Sequence, residues 1–178
     1  MVVMLITSIP YALGFINQGE FWRFTGFGFG VVDGNSYIAK MMSGRAGEWL
    51  FRTPFSAQDH QGAMLFFPYL LLGKLAVFPT RPHLQLVLLF HGFRLLAGMA
   101  MILATYDFLS LFIREEYWRR WALILISLGG GLGWLVAGLR VDWAGSVPLA
   151  FISPESFGFL NLYGLPHLAA ARALLLWG

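Results

Sequence analysis

Asp33 stands in the run Val32-Asp33-Gly34-Asn35-Ser36-Tyr37, just ahead of a short amphipathic pattern. Its carboxylate suits two jobs: capping a helix by accepting hydrogen bonds from the first free amides, or acting as general base toward a hydroxyl acceptor. Asp59 and His60 form an adjacent acid and imidazole pair, read either as solvated loop residues or as a contact for a polar head group. His91 and Arg94 lie one turn apart inside a long apolar stretch, where an arginine at the centre of a span is unfavourable by roughly 2.5–3.5 kcal/mol. Such a residue either faces a bundle interior or polar cavity, or reaches from a helix end to the interface. Glu155 and His167 suit helix capping or a site shared with the first loop, and Asp107 suits a helix-terminal charge. A metal site takes at least three protein donors, more than any of these neighbourhoods supplies, so no metal is expected. The absence of cysteine removes disulfides, thiolate ligands and a thiol nucleophile.

The elements that must position these residues are apolar. Of 178 residues, 58% are hydrophobic and 12% charged, against roughly 25% charged in an ordinary soluble domain. A bilayer core asks for about 20 mostly apolar residues per helix. The expected fold class is therefore all-α, a polytopic transmembrane helical bundle forming a single domain over 1–178. Spans are expected near 2–16, 62–78, 84–113, 121–139 and, cut short, 165–177. Both ends fall within apolar runs, which suggests the N-terminal part of a longer protein. The loop over 17–61 is too long to be a mere connector. Within it, Asn35 to Gly44 sets Ile38, Met41 and Met42 on one helical face, with Ser36, Lys40 and Ser43 on the other, as for a helix lying on the membrane surface. Trp49, Leu50 and Phe51 suit interfacial depth. The glycines at 129, 130, 131 and 133 follow no strand and so do not read as a phosphate-binding loop. The net charge of +3 is scattered rather than clustered, which excludes a nucleic-acid partner and leaves the lipid bilayer as the expected one.

One span, then a long loop with an early Asp and a surface helix, then a second span with a polar start, resembles the GT-C superfamily of membrane glycosyltransferases. The protein mannosyltransferase and aminoarabinose transferase branch is the nearest in pattern. Asp33 matches the catalytic acidic residue of that branch's first extracytoplasmic loop, and His91-Gly-Phe-Arg94-Leu-Leu-Ala-Gly98 looks like its Arg-containing span start. The likeness covers about residues 1–120. An Asp-Gly pair stands where several members carry Asp-Glu, so a second carboxylate would have to come from Asp59 or Glu155.

The resemblance implies transfer of a sugar from a polyprenyl-phosphate-linked donor to an extracytoplasmic acceptor, in a bacterial inner (plasma) membrane and without a cofactor. Asp33 would be catalytic. Tyr37, Lys40, Arg52 and Arg94 would contact substrate, the basic ones balancing phosphate, with Asp59, His60, Glu155 and His167 as further substrate-binding candidates. The alternative is a transporter or flippase-like protein whose His91 and Arg94 line a path. Charge and resemblance disagree on orientation. The two loops on one side, 17–61 and 114–120, hold seven Lys or Arg against three opposite, which would place 17–61 in the cytoplasm; the resemblance places it outside, and that is the expectation carried forward.

Overall fold

Seven α-helices and one 3₁₀ turn run through the described residues of the computed structural model, namely 2–53, 55–129, 139 and 153–178. The helices are α1 Val2–Ile16, α2 Val31–Arg45, α3 Phe67–Lys74, α4 Pro82–Ser110, α5 Glu116–Leu128, α6 Gly158–Gly164 and α7 Pro166–Trp177, with the 3₁₀ turn at Pro154–Ser156. No strand occurs among the described residues; a single antiparallel bridge joins Phe51 to Ala63. The chain divides into two compact units, one of Pro10–Phe93 and one of Met1–Ile9 with Arg94–Gly178. Among the described residues α4 alone is long and apolar enough to cross a bilayer. Its 29 residues reach about 44 Å at helical rise.

In the unit Pro10–Phe93, Gly30 takes a left-handed conformation (φ 58) and turns the chain into α2. Gly34, Ile38, Met41 and Gly44 then recur at helical spacing and form the buried face, whereas Met42, expected with them, is exposed. Ser36, Lys40 and Ser43 lie off that face, as expected. α3 packs against α2 with backbones nearly touching: a Cβ on Gly44 would strike the Leu70 carbonyl, and one on Gly73 the Met41 carbonyl. Phe27 lies over Gly34, and the core closes around Phe27, Ile38, Met41, Tyr69, Leu86, Val87 and Phe90.

The helix expected over 62–78 is shortened to Phe67–Lys74. Two features shorten it. Phe51 and Ala63 exchange backbone hydrogen bonds of 2.9 and 3.0 Å, which commits Gly62 and Ala63 to extended chain, and Phe66 adopts φ 54, outside the helical range. Eight residues rise about 12 Å, so α3 is far too short to cross a bilayer core of about 30 Å.

In the other unit, Gly98 admits Met4 and Leu162 against α4, where a Cβ would collide with the end of Met4 and crowd Leu162. Trp177 donates its indole N–H to Asp107 Oδ2 at 2.9 Å, so Asp107 holds the C-terminal helix rather than merely ending its own. α5 starts at Glu116, taking into its first turn charges expected to form a loop, and ends at Leu128. Most of the remainder of the segment expected over 121–139 lies outside the described residues. α7 covers the expected last segment.

Candidate functional site

α2 carries the densest set of chemistry-bearing groups. Asp33, Tyr37 and Lys40 are spaced by four and three, so they line one side of the helix. Asp33 is exposed and sits in the first turn, where a negative charge suits the positive end of the helix dipole. It is not the cap: Gly30 occupies that position without a side-chain hydrogen bond. Tyr37 stacks on Tyr69 at 4.6 Å with the rings 11° from parallel, and Phe90 continues the stack. Burial raises the pKa of the Tyr37 phenol, and the charge of Asp33 adds to the rise.

Lys40 is held on several sides. Its ammonium donates to Ser36 Oγ at 2.6 Å and is faced by three aromatic rings: Phe66 at 4.1 Å, Tyr37 at 5.2 Å and Phe51 at 5.9 Å. A cation over aromatic faces gains electrostatic attraction that partly replaces lost water. Desolvation still lowers the Lys40 pKa, and Asp33 opposes that shift only in part. Beside the ammonium opens a cavity of about 380 Å³, lined by Lys40, Arg52, Ser36 and Ser43 on its polar side and by Ala39, Met42, Phe51 and Phe55 on its apolar side. Two cations, two hydroxyls and an apolar wall suit an anion attached to a hydrocarbon.

The remaining candidates do not line that cavity. His60 is exposed and turned into its own loop: Nε2 accepts from the Thr53 amide at 3.0 Å, so Nδ1 carries the proton donated to the Gln58 carbonyl at 2.9 Å. Asp59 is exposed beside it. His91 donates from Nε2 to the Gly26 carbonyl at 2.8 Å and packs on Tyr11, which ties the 17–30 loop to α4. Arg94 belongs to the other unit and is 1% exposed. Its guanidinium donates to Thr7 Oγ1 at 2.9 Å, Ser8 Oγ at 2.7 Å and the Leu162 carbonyl at 3.2 Å. Thr7 and Ser8 both give their protons to the Met4 carbonyl, which leaves their lone pairs to the arginine. The expected phosphate-balancing arginine is thus engaged in holding α1, α4 and α6 together. Glu155 and His167 are in that same unit. Hydrogen bonds from its own amide and then from Ser153 lower the Glu155 pKa, and its backbone carbonyl receives Asn161 and Arg172. His167 is half-buried in the first turn of α7.

The structure therefore brings Asp33, Tyr37, Lys40 and Arg52 into one unit around α2, and adds Ser36, Phe51 and Phe66, which the sequence does not mark as site residues. Compared with protein families, curated proteins and solved structures, the chain matches none.

Proposed function

We propose that this chain is part of a polytopic membrane glycosyltransferase that takes its sugar from a polyprenyl-phosphate donor, with the α2 cavity as donor site. The observation that carries the reading is the cavity itself, where Lys40 and Arg52 face the same space as Phe51 and Phe55. The cations suit the phosphate and the aromatic wall suits the first isoprene units. Asp33 lies two helical turns before Lys40 on the same side of α2. In this reading an acceptor oxygen gives its proton to Asp33 and attacks the anomeric carbon. The bond from that carbon to the phosphate oxygen breaks, and the phosphate leaves with the electron pair toward Lys40 and Arg52.

Membrane insertion of more than one helix is supported by side chains that no protein contact covers. On α1, Val2, Leu5, Ile6, Ile9, Leu13 and Ile16 are exposed, and on α4 so are Leu88, Leu96 and Leu103. Lipid is the solvent that such rows of aliphatic groups suit. α3 is too short to span, so the 17–78 region would lie along one membrane face between α1 and α4. The transporter reading draws nothing from Arg94, whose donors go to Thr7, Ser8 and Leu162.

The test is Asp33→Asn in the full-length protein, assayed for transfer from a panel of polyprenyl-phosphate sugars. Loss of a general base is expected to slow transfer about 10²- to 10⁴-fold. A variant that turns over like the parent would remove Asp33 from the chemistry.

A further inference from the structure

A second cationic cavity, of about 560 Å³, opens where α2 and α3 end, and Arg45 and Lys74 line it together with Met42, Ala46, Ala76 and Val77. Arg45 donates from Nε to the Ala76 carbonyl at 3.1 Å and from Nη2 to the Phe78 carbonyl at 3.2 Å. Lys74 donates to the Gly47 carbonyl at 2.9 Å and to the Gly44 carbonyl at 3.5 Å, and lies 4.1 Å from the centroid of the Trp49 ring. These partners are neutral. They orient both cations without cancelling either charge, and among the described residues neither meets a carboxylate. Arg45 keeps Nη1, and Lys74 one ammonium proton, for something else.

Apolar side chains beside the two cations are open: Val77, which lines the cavity, Trp49, whose ring meets Lys74, and Leu75 and Phe78, which neighbour the lining residues in the chain, are all more than half exposed. Basic groups set behind a collar of tryptophan and aliphatic side chains are the arrangement expected at headgroup depth, where rings and chains enter the acyl boundary while the charges meet phosphate. We infer that this cavity holds the phosphate headgroup of an anionic phospholipid and seats the end of the α2 and α3 pair on the membrane surface. The site is distinct from the Lys40 cavity and needs no sugar transfer. It rests on the membrane reading alone.

The test titrates the whole chain, purified in a neutral detergent, with short-chain phosphatidylglycerol, short-chain phosphatidylcholine or inorganic phosphate, and counts retained lipid by native mass spectrometry. Phosphatidylglycerol should be retained over phosphatidylcholine. Its affinity should fall about fivefold for each charge removed, hence about 25-fold in Arg45→Gln with Lys74→Gln. Arg45→Lys with Lys74→Arg keeps both charges and should keep the lipid. Added salt should release phosphatidylglycerol from the parent, a readout that needs no variant to fold. Equal retention of the two lipids, insensitivity to salt, or thermal stabilisation by inorganic phosphate as large as that by phosphatidylglycerol would each overturn the headgroup site. A chain recovered in water without detergent would sink the membrane reading beneath it as well; one that needs detergent yet ignores phosphatidylglycerol sinks this inference only.

Discussion

Phe66 holds its ring 4.1 Å from the Lys40 ammonium, and does so from a backbone at φ 54 that an aromatic residue rarely adopts. The same residue ends the extended segment after Ala63 and starts α3, so one strained position both sets the helix and closes the cage over the cation.

Two substitutions at Phe66 separate strain from cage. Phe66→Ala removes the ring and keeps a Cβ at positive φ, whereas Phe66→Gly removes both. Glycine should therefore be the more stable of the two by about 1 kcal/mol. In both, a ¹³C-methylated Lys40 should titrate nearer the ordinary lysine range than in the parent. Two variants of equal stability by denaturant unfolding would mean that the backbone at 66 carries no strain.

Lys40 also gives stability a definite pH dependence. Its pKa is lowered in the folded chain, so between that value and 10.5 the unfolded chain binds more protons and stability from this group rises with pH. Binding of an anion in the Lys40 cavity runs the other way and should weaken as pH climbs through the lowered pKa. Lys40→Met should remove the Lys40 contribution to both slopes and leave the fall in stability above pH 10 that the raised Tyr37 pKa supplies, which unfolding and phosphate-lipid titrations across the alkaline range would register.

Glycines in this chain answer differently to the same change. Gly44→Ala and Gly73→Ala each drive a methyl into a backbone carbonyl that cannot rotate away, and each should cost about 1–3 kcal/mol. Gly92, within α4, offers open space, with nothing within 4 Å of where a Cβ would stand, so Gly92→Ala should be neutral or stabilise by up to about 1 kcal/mol. Thermal midpoints of the three variants decide it.

Asp33→Ala should lower stability by no more than about 0.3–1 kcal/mol, the range of a charge near a helix N-terminus. A capping residue would lose more. A larger loss in denaturant unfolding would show that the carboxylate has a structural partner as well as the chemistry proposed for it.

Arg94→Ala should be among the most damaging single changes, because it strands two hydroxyl oxygens and a carbonyl in a buried place. A loss of about 3 kcal/mol or more is expected, since hydrogen bonds to a charged group contribute about 1.5–3 kcal/mol each. Arg94→Lys cannot reach three acceptors with one nitrogen in the same geometry and should recover only part of it. A mild Arg94→Ala phenotype in thermal unfolding would contradict this account.

Some of this is legible in the sequence because the signal is local. The apolar run of α1, the length of α4 and the amphipathic core of α2 follow from spacing within single elements. What stays hidden depends on distant partners. Asp33 reads as a cap because nothing in the sequence shows that Gly30 turns left-handed three residues earlier. The segment over 62–78 reads as helical because its composition is apolar, and only the pairing of Ala63 with Phe51 keeps its first residues extended. Phe51 reads as an interfacial aromatic and Phe66 as one more apolar residue of the expected 62–78 span; their meeting over Lys40 is a consequence of that pairing. Arg94 visibly needs compensation, but Thr7 and Ser8 lie 87 and 86 positions away and carry no motif.

The arginine clasp also bears on biogenesis. Thr7 and Ser8 satisfy their own protons on the Met4 carbonyl, so in the membrane reading α1 could wait in lipid with no hydroxyl proton unpaired. Arg94 reaches those hydroxyls only across most of a hundred residues of chain, and its stretch of α4 leaves the ribosome later. In the membrane reading the first helix is thus a ready-made receptor for a costly residue in a helix not yet synthesised, and removing Thr7 and Ser8 would show first as failed insertion of α4 rather than as a less stable finished protein.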